Sequence, residues 1–126
     1  MQDFEYGIGG LDLNLEALNK NRKPHKFIVL SDENSHLFYA ALEERHSNVA
    51  SKFYLDINKI TGGGNMRVYE NKLNIGYYSS DYGGIPKEAL YKFGSLLVPE
   101  LHQRSLKIDE LIVSPFEEEI RFYWKK

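Results

Sequence analysis

Hydrophobic and polar positions follow two rhythms along this chain, one of period two and one near 3.6. Lys26-Phe27-Ile28-Val29-Leu30 is a compact apolar run between Pro24 and the polar stretch 31–35, which predicts a central strand. Upstream, Leu11, Leu13 and Leu15 alternate with Asp12, Asn14 and Glu16, the pattern of a half-buried strand. Leu18 breaks that alternation, so a short helix is the alternative there, and residues 1–10, with Gly7, Gly9 and Gly10, read as irregular. Ser31 to Ser35 offers several helix N-caps, and Leu37, Phe38, Ala41, Leu42, Arg45 and Val49 follow at helical spacing, predicting a helix over about 35–51. Phe53, Leu55 and Ile57 alternate as a strand, which Gly62-Gly63-Gly64 interrupts. Extended structure resumes at 66–69, Glu70-Asn71-Lys72 makes a tight turn, and Leu73, Ile75 and Tyr77 alternate again. After a loop at Asp81-Tyr82-Gly83-Gly84, Ile85-Pro86 opens a helix with Ala89, Leu90, Phe93, Leu96 and Leu97 on its apolar face. Pro99 ends that helix or starts a further turn through His102. Strands over 106–113 and 120–125 complete the chain. The sum is one α+β domain over residues 1–126, a mostly antiparallel mixed sheet with two main helices packed on it.

Composition narrows the functional classes. A chain of 126 residues is one domain by length and can bury roughly two thirds of its unfolded surface without a metal or disulfide. With no cysteine it has no disulfide scaffold, zinc ribbon or thiol nucleophile. A net charge of -2 argues against a general nucleic-acid binder. The acidic start Met1-Gln2-Asp3-Phe4-Glu5 is unlike a signal peptide, and no apolar run approaches the ~20 residues that span a bilayer, so a cytoplasmic protein away from membranes is expected.

Three places could carry chemistry. If Ser35 caps the expected helix, His36 sits in its first turn, where the dipole favours neutral imidazole and the free N–H groups favour a phosphate; the plainer reading is an exposed first-turn residue. The glycine run could form an anion-binding nest or could simply kink the sheet. It is neither a P-loop nor a dinucleotide fingerprint, because Asn65-Met66-Arg67 follows it. The segment Gly76 to Gly84 leaves a strand and carries Ser79, Ser80 and Asp81, as either a binding loop or a self-satisfied turn. His25, His46 and His102 lack metal-ligand spacing, and His46 reads as an exposed polar residue of the helix. The nine tyrosines and one tryptophan read as sheet packing.

Over residues 26–113 the chain resembles the phosphohistidine phosphatase, or janus/ocnus, family. The resemblance lies in the lysine-led strand Lys26-Phe27-Ile28-Val29-Leu30, a histidine followed by a helix, Gly62-Gly63-Gly64, and Tyr78-Ser79-x-x-Tyr82-Gly83 after a strand, followed by a helix and a last strand. Residues 1–25 and the tail after Ser114 lie outside it. The resemblance implies a small α+β hydrolase without metal or organic cofactor that removes phosphate from protein histidine. It implies a phosphate held by Lys26, Ser79 and loop amides near Ser80 and Asp81, with His36 as general base and His46 the competing candidate. Its implied partner is a phosphorylated protein or small phosphorylated ligand. Two departures stand out: the connection from Lys26 to His36 is short, and Asn65 replaces the basic residue that often follows the glycines. A non-catalytic phosphate-recognising or protein-interaction module on the same scaffold is the alternative.

Overall fold

The computed structural model describes residues 5–20, 23–77, 85–114 and 120–123. Seven strands form one mixed sheet: β1 (Glu5–Asp12), β2 (His25–Ser31), β3 (Ser35–Ala41), β4 (Ile60–Tyr69), β5 (Lys72–Tyr77), β6 (Glu110–Ser114) and β7 (Ile120–Tyr123). Their spatial order is β1-β3-β2-β4-β5-β6-β7. The pairings β1–β3 and β5–β6 are parallel and the other four antiparallel. The helices are α1 (Leu15–Asn19), α2 (His46–Lys52) and α3 (Lys87–Gln103).

The α+β class and the mixed sheet agree with the sequence pattern, as do β2, the β4–β5 hairpin and α3. The hairpin turn has Glu70 and Asn71 both at positive φ (48° and 63°), as a tight primed turn requires. Several expectations are corrected. First, the expected helix over 35–51 is strand β3 followed by α2, so its second main helix is only seven residues long. Residues 35–41 pair with β1 on one side and β2 on the other, and an inner strand covered on both faces has no clean alternation to betray it. Second, the glycines do not interrupt the sheet, because Gly62, Gly63 and Gly64 lie inside the continuous strand β4. No described glycine has positive φ, so they form no nest. Third, residues 53–57 are not a strand and residues 5–12 are one. Of the two expectations for Pro99, the further turn through His102 holds, since α3 runs on to Gln103.

The two faces of the sheet carry unequal cores. On one face, α3 and Leu18 of α1 cover Phe27, Val29, Phe38, Met66, Ile75 and Leu111 in the larger core. On the other, α2 places Val49 and Ala50 against Ile28 and Ala41 in a small one. Along β2, Phe27, Val29 and Ser31 therefore face α3, whereas Lys26, Ile28 and Leu30 face α2. This alternation decides which candidate residues can meet.

Candidate functional site

Lys26 and His36 do not meet. Lys26 stands at the start of β2 opposite Ala41, and His36 is opposite Ser31 at its far end. Five residues of strand span roughly 16 Å, and the two side chains leave opposite faces of the sheet. Lys26 goes with Ala41 to the α2 face, and His36 goes with Ser31 to the α3 face, where both line a cavity with Val29. The assignment of His36 to a helix start is thus corrected: it lies in β3, with no helix dipole behind it. Ser79, Ser80 and Asp81 lie outside the described residues.

His46 is the histidine that shares a face with Lys26. It is the first residue of α2 and 6% exposed, not the exposed helix residue that its charged neighbours suggested. Its ring packs on the glycine strand, such that a Cβ added to Gly63 would lie 3.0 Å from His46 Cδ2. His46 Nε2 is 2.9 Å from the Gly64 carbonyl oxygen. A carbonyl can only accept, so Nε2 carries the proton of this bond. The next residue of β4, Asn65, is the cross-strand partner of Lys26. Lys26, His46 and the glycine strand thus converge on the α2 face within one residue of register.

The local sequence explains this convergence. Two adjacent positions without side chains let β4 accept an imidazole on one face and an aromatic ring on the other. A Cβ on Gly64 would fall 2.5 Å from the Phe27 ring and 2.0 Å from the Gly76 carbonyl oxygen. Charged side chains of both signs flank His46. Lys23 pairs with Glu44, two residues before His46, and holds its carboxyl below the usual range, with a smaller effect from the Lys26 ammonium. Arg45, next to His46 in the chain, is exposed, and Lys52 at the other end of α2 pairs with Asp12 and Glu43. Beside Lys26, the buried Asn65 Oδ1 has no hydrogen-bond partner. Among the described residues, no three His, Asp or Glu side chains group as metal ligands.

Sequence reasoning missed the place of His46 because three charged residues, Glu43, Glu44 and Arg45, precede it. The signal that could have found it was the pairing of a histidine at an N-terminal helix position with the only run of three glycines. No described helix is long and apolar enough to cross a membrane. The chain matches no family model, no curated protein and no solved structure.

Proposed function

We propose that the α2 face of the sheet is the phosphoryl-transfer site of a metal-independent hydrolase acting on protein phosphohistidine, with His46 and not His36 as the base. The observation that carries this reading is the bond from His46 Nε2–H to the Gly64 carbonyl, which orients the ring on the glycine strand of the face that Lys26 shares. In the proposed step, His46 Nδ1 takes a proton from water as its oxygen attacks phosphorus. The P–N bond breaks with its electron pair going to the substrate imidazole, which takes up a proton from solvent. Lys26, on the same face, balances charge on the phosphoryl oxygens, together with Ser79 and the amides near Ser80 and Asp81 that the family resemblance implies. The leaving group is a nitrogen base and the P–N bond is labile, so one positioned base with electrostatic help is sufficient catalytic equipment.

The test is hydrolysis of a phosphohistidine protein by wild type, His46→Ala and His36→Ala. A positioned general base contributes about 10²–10⁴ in rate, so His46→Ala should lose at least about a hundredfold while His36→Ala stays near wild type. The reverse pattern would return the role to His36, and an inactive wild type sinks the hydrolase reading. A second reading, phosphate recognition without turnover, is favoured by one observation: Asn65, a neutral residue, stands beside Lys26 where a cation would assist transfer. It predicts stabilisation of the fold by phosphohistidine peptide with no phosphate released.

A further inference from the structure

The α3 face holds a concave site that the hydrolase reading does not use. It is a cavity of about 260 Å³ at the end of the sheet where β2 meets β3, under the first turn of α3. Its depth is apolar, formed by Val29, Ile85, Ala89 and Phe93, all buried. Tyr6 walls one side, with its ring 5.2 Å from that of His36 and edge-on to Phe93 at 5.5 Å. The polar groups collect at the mouth, where Ser31 and His36 are half-buried and Thr61 is exposed.

Thr61 reaches this mouth because of a β-bulge. Val29 pairs with Gly62 and Leu30 with Ile60, so Thr61 is left unpaired between them. Without that extra residue, alternation would send Thr61 to the α2 face; the bulge turns it to line the cavity beside Gly62. Its hydroxyl then lies 2.7 Å from Ser31 Oγ and 3.3 Å from the Val29 carbonyl oxygen, and Ser31 Oγ lies 2.5 Å from His36 Nδ1.

Counting protons orders this chain. The Val29 carbonyl can only accept, so Thr61 spends its single hydroxyl proton there. Ser31 must then donate to Thr61, and His36 Nδ1–H must donate to Ser31. Two consequences follow. His36 does not take a proton from Ser31 in this arrangement, so the pair is not an activated nucleophile. Both hydroxyls have spent their protons inward and offer the cavity only lone pairs, so a ligand must bring the donor. The lining favours a neutral ligand over an anion, since among the described residues no Lys or Arg side chain lines the cavity. Burial, with the Glu88 carboxylate second, also raises the Tyr6 phenol above its usual range and keeps it neutral.

We propose that this cavity binds a small neutral amphiphile, an apolar or aromatic body of about one ring carrying a hydroxyl donor, with the ring against Phe93 and Val29 and the hydroxyl at Ser31 and Thr61. The site is separate from His46, which lies on the opposite face of the sheet, so its occupancy is independent of the phosphohydrolase reading.

The probes are p-cresol, its O-methyl ether 4-methylanisole, benzylamine and benzoate, titrated by amide chemical-shift mapping on the full chain. p-Cresol should shift the amides of Ser31, Thr61 and Ala89 and leave those of His46 and Gly63 in place. The ether, which lacks the donor, should bind about three- to tenfold more weakly, the scale of one net hydrogen bond. Ala89→Met, which fills the depth, should abolish binding, and His46→Ala should leave it unchanged. Thr61→Val, at an exposed position that folding tolerates, should bring p-cresol and the ether closer together. Absence of p-cresol shifts at millimolar concentration overturns the proposal, as do shifts confined to the α2 face, equal binding of the ether, or tighter binding of benzylamine or benzoate.

Discussion

At the scale of single residues, the four histidines separate by environment. His25 opens β2 and is fully buried, and its Nε2 accepts the backbone N–H of Asn14 at 2.9 Å. The proton of the neutral ring is therefore on Nδ1, which has no partner. Adding a second proton inside this site is costly. Burial pushes the His25 pKa down to about 4, against a weaker upward pull from Asp12. The sign of the linkage is fixed by that depression. Above pH 6.5 both folded and unfolded chains hold neutral His25, and it contributes nothing to pH dependence. As pH falls from 6.5 towards 4, the unfolded chain takes up a proton that the fold refuses, and stability declines by about 3 kcal/mol. Below 4 the contribution is constant. Imidazole resonances followed between pH 8 and 3.5 should show His25 neutral until about pH 4, and titration of His25 near 6.5 would contradict this account. Nothing in its sequence neighbours betrays this burial, because His25 stands between Pro24 and Lys26 like any strand-entry polar residue.

At the scale of elements, legibility followed periodicity. The β4–β5 hairpin was legible because Leu73 and Ile75 alternate with polar residues and Asn71 marks the turn. The segment 35–41 was not, since Leu37, Phe38, Ala40 and Ala41 satisfy a helical stripe and an inner strand equally. Its strand state is decided by two neighbours, one of them β1, some thirty residues away. With the helix misplaced, His36 was expected at a helix start that His46 in fact occupies, and that single error accounts for the expected placement of both. The glycine run was located correctly but misjudged in kind: close approach, not backbone freedom, explains it. Gly64→Ala would drive a methyl into the Gly76 carbonyl, and backbone cannot yield as a side chain can. The expected loss is about 3 kcal/mol or more, read as a lowered denaturant midpoint or a failure to fold. Gly63→Ala is milder, since at 3.0 Å from His46 Cδ2 and 3.2 Å from the Phe27 carbonyl oxygen the neighbours must move only tenths of an ångström. It should cost about 1 kcal/mol; under the hydrolase reading it should also lower phosphohistidine hydrolysis by at least tenfold, because the group that yields would be the proposed base. A Gly63→Ala protein with undiminished hydrolysis would separate His46 placement from catalysis.

At the scale of the whole molecule, the two sheet faces differ in how firmly they are held. The β5–α3–β6 crossover was legible as strand, helix and strand, and its parallel closure puts α3 over the larger core. The order β1-β3-β2 was not legible, because it rests on pairings between distant segments. The α2 face is the weaker one. Its fully buried apolar residues are Ile28, Ala41, Val49 and Ala50, two of them alanines. The helix itself has seven residues and no side-chain cap at Arg45. Little apolar area is lost when α2 lifts, whereas lifting α3 would expose Leu90, Phe93, Leu97 and Leu101 together. Native-state hydrogen exchange should therefore find α2 amides opening at a free energy well below that of β2, β4 and α3, in a subglobal unit. Under the hydrolase reading, that opening carries the base with it, so the exchange rate of α2 sets an upper limit on how fast a buried His46 can be uncovered to a bulky protein substrate. Ala50→Val, which enlarges the small core, should slow α2 exchange if the extra methyl groups fit. Equal opening energies for α2 and α3 would mean that the two faces unfold only together, and access to His46 would then depend on residues outside this helix.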